Sequence, residues 1–216
     1  MAAFRLSRLP RVGDMRHLTQ GLYGRNGVEL DEVRKVERDL NVVFPADLVS
    51  FLQSYDAAEG YVVGGYLQVW PVGEMVDLNH RARIEDNIPG LVIVATDAGG
   101  DGYGLDRLTR SFVLVPMIGM STMQPVRIGT TFNQLLDWIA DRNPIATTQT
   151  SGPPATYGYV IYEKHPIILG GSPTDPANKV LISLDEYADV VAWWNERIRN
   201  GILEPLSGRA TLPDPD

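Results

Sequence analysis

An apolar strand that runs into an acidic, glycine-rich turn constrains the fold of this chain more than any other feature of its sequence. Leu91–Thr96 is a near-continuous apolar run rich in β-branched residues, which is typical of a central strand. Asp97 and Asp101 then flank Gly99-Gly100, whose backbone freedom suits a tight turn. A second short strand follows and carries Asp106. We therefore predict a β-hairpin with two carboxylates at its turn.

Two helices are predicted before this hairpin. Asn26 and Glu29 have the spacing of a capping box, which marks the start of the first helix. Pro45 suits the first turn of the second helix, in which the apolar side chains follow the helical period. Gly60 is predicted to end that helix in a left-handed conformation. From Tyr61 onward the apolar residues alternate as they do in strands.

A third amphipathic helix closes the predicted main domain. Thr130 or Thr131 is expected to cap it, and its apolar stripe runs from Phe132 to Ile139. Between the second and third of these helices the sequence predicts strands at 66–70, 91–96 and 112–118, and a short helical piece at 74–78.

The C-terminal part of the chain reads as a smaller unit. Residues 157–162 are predicted to pair with Pro166–Leu169 in a hairpin, and Ser183 with Glu186 forms a capping box at the start of a strong helix. Such a small unit must dock on a larger one to bury its apolar side chains. We divide the chain into an N-terminal arm (1–26), a main domain (27–142), a linker rich in Thr, Ser, Gly and Pro (143–156), an appendage docked on the main domain (157–205) and a flexible tail (206–216).

The charge of the chain limits the partners that it can bind. The sequence has 27 acidic and 19 basic residues, a formal net charge of -8 and no cysteine. Nucleic-acid affinity depends largely on Lys and Arg, so we expect no nucleic-acid partner and favour a basic protein instead. No apolar run has the length of a signal peptide or a membrane span, so we expect a cytoplasmic protein that does not bind membranes.

The acidic turn does not match the templates for phosphate or calcium binding. A phosphate loop aims backbone amides from the start of a helix, whereas this turn leads into a strand and carries negative charge. In a twelve-residue calcium loop that starts at Asp97, Leu108 would stand in place of the final Glu. We expect no metal and no cofactor, because the three histidines lie far apart in the chain: His17, His80 and His165.

Acid/base catalysis is the enzymatic alternative that the sequence leaves open. Asp97, Asp101 and Asp106 would serve a small hydrolase if they converged in a pocket that gives them unequal environments. Ser121 is not a predicted nucleophile, because its surroundings lack the final glycine of a nucleophile elbow.

Several segments together resemble the SUKH superfamily. These are Val36–Leu40 followed by Phe44–Leu48, the turn and strand at 97–106, and the helix at 130–139. Phe44 departs from the leucine that usually precedes the proline in this family. We regard six residues as the structural signature of the resemblance: Pro45, Gly60, Gly99, Gly100, Asp106 and Trp138.

The resemblance implies a fold and a class of function. The implied fold is α+β, with a mostly antiparallel sheet flanked by helices, here joined by a small C-terminal hairpin-plus-helix appendage. Bacterial members are immunity proteins that neutralise a cognate toxin, such as a nuclease or deaminase of polymorphic, contact-dependent or type VI secretion systems. The implied alternative is a scaffold or regulatory adaptor of the yeast cell-wall-regulator type, and neither class has catalytic residues. The expected partner contacts are exposed acids and one aromatic: Glu59, Glu74, Asp77, Glu85, Asp86, Asp97, Asp101 and Tyr103.

Overall fold

The computed structural model describes residues 7–8, 19, 21–63, 65–142 and 156–201. Its main feature is an eight-stranded sheet in which strand order follows chain order and every neighbouring pair is antiparallel. The strands are β1 (Ser7–Arg8), β2 (Gly21–Asn26), β3 (Tyr55–Val62), β4 (Gly65–Val69), β5 (Leu91–Thr96), β6 (Asp101–Asp106), β7 (Ser111–Pro116) and β8 (Val126–Gly129). This architecture confirms the predicted α+β class.

Helices join or follow the strands of this sheet. They are α1 (Leu30–Asp39), α2 (Ala46–Ser54), α3 (Met75–Arg81), α4 (Ile84–Asn87) and α5 (Phe132–Arg142). The apolar faces of α2 and α5 meet at Phe51 and Phe132, whose ring centroids lie 4.8 Å apart, and both side chains are fully buried. In the described residues, no helix has the length and apolar character needed to cross a membrane.

A small second sheet and one long helix form the C-terminal part. β9 (Tyr159–Glu163) pairs with β10 (Lys179–Ser183), and α6 (Leu184–Arg199) follows directly. The prediction that Pro166–Leu169 pairs with this strand is wrong, because Ile167–Leu169 forms a 3-10 turn in which Leu169 N donates to Pro166 O. The predicted linker up to residue 155 and the tail at 206–216 lie outside the described residues.

The predicted helix caps have mixed outcomes. The Ser183–Glu186 capping box is present, and Gln134 N donates to the side chain of Thr131 at the start of α5. The box at Asn26 is absent, since Asn26 is the last residue of β2 and α1 begins only after Glu29. Pro45 precedes the first helical residue of α2 instead of occupying the first turn.

Gly60 lies in β3 and does not end α2, which corrects the prediction. The helix stops at Ser54, and the next eight residues pair with β2 and β4. Gly60 has φ +145°, and a Cβ there would stand 2.2 Å from the carbonyl oxygen of Gly21 on β2. A glycine is required because the two backbones approach too closely for a side chain. Residues 21–26, predicted to belong to the N-terminal arm, are thus part of the main sheet.

Candidate partner-binding cleft

The acidic turn joins β5 to β6 and is held by one carboxylate. Asp97 Oδ1 accepts hydrogen bonds from Gly99 N at 2.8 Å and from Asp101 N at 2.9 Å. Gly100 has φ +133°, a conformation that L side chains rarely adopt, and its carbonyl accepts from Met117 N at 2.8 Å. The predicted hairpin is therefore present, and Asp97 stabilises its turn from inside.

The three carboxylates of the hairpin do not converge. Asp106 ends β6, where its Oδ1 accepts from Thr109 N at 2.7 Å in the turn towards β7. Asp101 begins the same strand, so the two residues are about 16 Å apart at the usual rise per residue. The geometry does not support the hydrolase that would use Asp97, Asp101 and Asp106 together. Among the described residues, no three acids or histidines are grouped so that they could hold a metal ion.

Tyr103 was expected to be exposed, and this expectation is wrong. Its side chain is buried and packs edge-on against Trp138, with the ring centroids 6.2 Å apart. The guanidinium of Arg142 stacks over Trp138, with Cζ 4.5 Å from the ring centroid. Nη1 of the same arginine lies 4.0 Å from Asp101 Oδ2. Tyr103 therefore supports the hairpin from behind, while Asp101 stays partly exposed at the surface.

Glu59 is also buried, contrary to expectation. It accepts hydrogen bonds from Tyr66 Oη at 2.6 Å and from Gly158 N at 2.7 Å. Burial raises the pKa of this carboxyl, although the hydrogen bonds that it accepts oppose the shift. Since Gly158 immediately precedes β9, Glu59 links the main sheet to the C-terminal part.

The remaining predicted contacts are exposed but lie elsewhere. Glu74 immediately precedes α3, Asp77 lies on α3, and Glu85 and Asp86 belong to α4. Glu85 is paired with Arg107 at 2.8 Å, and Asp86 with Arg83 at the same distance. Glu59 and Glu74 line one pocket, and Asp97 and Asp101 line another beside the hairpin turn.

A cleft of about 490 Å³ opens beside these two aspartates. The hairpin turn forms one wall, and β9 with the 3-10 turn forms the other. Met123, Ile161, Ile167 and Ile168 are exposed at its mouth, although exposed apolar side chains are usually scattered singly on a protein surface. The aliphatic side chains of the lining are those of Pro116, Ile118, Met123, Ile161, Pro166, Ile167 and Ile168.

Three carboxylates surround this apolar lining. They belong to Asp97, Asp101 and Glu163. Burial raises the pKa of Tyr187, a phenol in the cleft wall, and these three carboxylates raise it further. Burial also raises the pKa of Asp101, and its neighbour Asp97 adds to that shift while Arg142 opposes it. The cleft therefore combines an apolar surface with a negative field.

Comparison with known protein families identifies the main domain. The family model described as SMI1 / KNR4 family (SUKH-1) matches residues 27–138. The chain belongs to the SUKH-1 family. This confirms the resemblance seen in the sequence, and all six signature residues lie within the matched region. No curated protein matches the chain.

The SUKH-1 region supplies only one wall of the cleft. Asp97, Asp101, Ile118 and Met123 lie inside the matched residues, whereas the wall formed by residues 161–168 lies beyond them. Tyr187 on α6 also lines the cleft and is likewise outside the match.

Sequence reasoning missed the residues of this second wall. The run Ile167-Ile168-Leu169 was visible as an apolar segment, but it was interpreted as a strand that pairs with residues 157–162. The residues at its two ends are the signal that could have identified this run as a turn. Pro166 cannot donate a backbone hydrogen bond to a neighbouring strand, and Gly170 allows the left-handed backbone that the structure shows there, with φ +94°. A short apolar run between such residues favours an exposed turn.

Proposed function

We propose that this protein is an immunity protein that binds a toxin in the cytoplasm of the producing cell and neutralises it by covering the toxin's active-site surface. The observation that carries the proposal is the exposed apolar cleft with its acidic rim, in a member of the SUKH-1 family. Apolar patches rimmed by polar groups are typical of protein-binding sites. They provide a physical basis for tight association with one partner.

The charge of the protein supports a basic partner. With a formal net charge of -8, the chain attracts a positively charged protein over a distance comparable to the Debye length. Complementary charge accelerates encounter more than it strengthens the final complex. An immunity protein gains from fast association, because the toxin must be captured before it acts.

Co-expression tests this proposal. The protein encoded by the adjacent gene is expressed in a bacterial host with and without this chain, and growth and complex formation are measured. We expect the neighbour to arrest growth alone, and this chain to restore growth and co-purify with it in a fixed ratio. If the neighbour is toxic but no complex forms and no growth protection appears, the proposal fails.

A regulatory adaptor is the second candidate, because the resemblance to the SUKH superfamily also implies regulators of the yeast cell-wall type, and the matching family model carries the SMI1 / KNR4 name. An adaptor would bind several partners transiently and would be encoded away from any toxin gene. Affinity purification of the full chain from its native host separates the two functions: one stoichiometric basic partner favours the immunity protein, and several partners in low amounts favour the adaptor.

A further inference from the structure

We propose that the C-terminal part of the chain, β9 through α6, is a recognition module that selects the partner by completing the cleft. The occupant that fits is a basic segment of the partner protein, in which a large aliphatic or aromatic side chain lies between Lys or Arg residues. This inference rests on the proposed function, since it names the surface and the partner chemistry that immunity would use.

The apolar half of the recognition surface comes mainly from the module. Ile167 and Ile168 are 50% and 44% exposed, and Met123 across the cleft is 55% exposed. Together with Ile161 they form an apolar surface around the opening of the cleft. A large apolar side chain of a partner would remove all four from water at once, which is the usual arrangement at the centre of a protein interface.

The module is held in a fixed position against the SUKH-1 region. Ile168 packs so closely on Gly119 that a Cβ on this glycine would lie 2.6 Å from Ile168 Cδ1. The backbone continues the contact, because Ile161 N donates to Ala98 O at 2.9 Å, directly after the Asp97 of the turn. A wall fixed in this way is ready for binding and loses little conformational entropy when a partner arrives.

The sign of the field decides between possible occupants. Asp97, Asp101 and Glu163 lie around the apolar surface, and Arg142 partly offsets Asp101. An acidic or phosphorylated segment would be repelled, whereas Lys or Arg residues beside the inserted side chain would each face a carboxylate. The two walls therefore favour one kind of occupant, a segment that is apolar in its centre and cationic on both sides.

Variants of the cleft test whether the module recognises the partner. Their affinity for the protein encoded by the adjacent gene is measured by calorimetry, and their rate of association by stopped-flow kinetics. Ile167→Asp/Ile168→Asp should weaken binding about 100-fold, and the milder Ile167→Ser, which keeps the packing of Ile168 on Gly119, about tenfold. Asp97→Asn/Asp101→Asn should slow association about tenfold at low salt. Leu108→Asp is the apolar control, because Leu108 is 91% exposed in the β6–β7 turn, and Asp31→Asn/Glu32→Gln on α1 is the charge control. Both controls should bind within about twofold of the unmodified protein.

Peptide probes test the chemistry without the toxin. Two short synthetic peptides are titrated into the ¹⁵N-labelled full chain: one with Leu-Ile between Arg and Lys residues, and one with Leu-Ile between Glu residues. Amide shifts at Gly99, Ile161 and Ile168 with the basic peptide alone support the inference. Equal shifts with both peptides, or none with either at millimolar concentration, overturn it.

The outcomes distinguish this inference from the proposed function. Complex formation that survives every cleft variant overturns the module and leaves the immunity function standing. Failure of the unmodified chain to bind or protect removes the immunity function, whatever the peptides show. Ile167→Ser separates recognition from misfolding, because it makes no new charge and keeps the contact between Ile168 and Gly119, so its thermal unfolding should match that of the unmodified protein.

Discussion

The side-chain amide of Asn195 on α6 donates a hydrogen bond to the carbonyl oxygen of Met117, at a distance of 2.7 Å. Its Oδ1 accepts a second bond from Gly119 N, also at 2.7 Å, and the side chain is completely buried. One residue of the C-terminal part thus satisfies two backbone groups of the SUKH-1 region that water cannot reach.

Replacing Asn195 should be costly for stability. Asn195→Ala leaves a buried N–H and a buried carbonyl without partners, and we expect a loss of about 2–4 kcal/mol in the free energy of unfolding. Urea denaturation measures it. Asn195→Asp keeps the acceptor for Gly119 N but places a carboxylate against Met117 O, so it should also destabilise, and more at pH 7 than at pH 4. A loss below about 1 kcal/mol for the alanine variant would contradict this account.

The ion pairs between α3 and α6 should matter far less. Arg81 donates to both oxygens of Asp189, at 3.0 and 2.6 Å, and also pairs with Asp185 at 3.0 Å. Both aspartates are exposed and Arg81 is only partly buried, so Arg81→Met should cost only about 0–1 kcal/mol. The same denaturation experiment in 1 M NaCl should remove most of the difference from the unmodified protein. A loss as large as that of Asn195→Ala would show that the ion pairs dominate docking.

The two glycines of the hairpin turn should respond differently to replacement by alanine. Gly100→Ala forces a side chain into φ +133° and should destabilise by about 1–3 kcal/mol. Gly99→Ala is the matched control, because its Cβ would meet Asp97 Oδ2 at an ordinary 3.5 Å. The control should leave stability unchanged or raise it by up to about 1 kcal/mol. Thermal unfolding of both variants is the measurement, and equal losses would disprove the role assigned to Gly100.

The charge of Asp101 should lower the stability of the folded protein while it speeds association with a basic partner. Its folded-state pKa is raised above the ordinary 3.8, so the folded protein holds this proton more tightly than the unfolded chain. Stability from this group is therefore lost as pH rises from about 3.8 through the raised pKa. Asp101→Asn should increase Tm at pH 7 and have no such effect at pH 3, while it slows association with a basic partner.

A nearby charge controls for this pH effect. Asp137→Asn removes one exposed carboxylate from α5. It measures how far the removal of one negative charge from this acidic chain changes Tm by itself. Calorimetric scans from pH 3 to pH 8 compare the two variants, and a Tm gain for Asp101→Asn that persists at pH 3 would refute the assignment.

Local patterns predicted the elements whose stability is local. β5 occupies Leu91–Thr96 as predicted, because its apolar run suits a strand that is buried on both faces. The Ser183 capping box correctly marks the start of α6, since all of its hydrogen bonds form within four residues. These signals require no knowledge of distant parts of the chain.

β3 was missed because distant residues stabilise it. Asp56 and Glu59 make its sequence look like a polar helix end, yet both are buried in the strand. Asp56 accepts from Val72 N, and Glu59 accepts from Gly158 N, which is 99 residues away in the chain. No local pattern shows such partners. The cleft was only half predicted for the same reason: its two walls come from segments that meet through tertiary contacts.

The pairing of β2 with β3 also sets a limit on recombinant fragments. The family match begins at residue 27, just after β2 ends. A fragment cut at that boundary would lose Leu22, which is fully buried, and would leave β3 with a row of unpaired backbone groups along one side. Open edges of this kind recruit strands from other molecules and lead to aggregation. Isolated SUKH-1 regions of this protein should therefore stay monodisperse only when the fragment starts before Gly21.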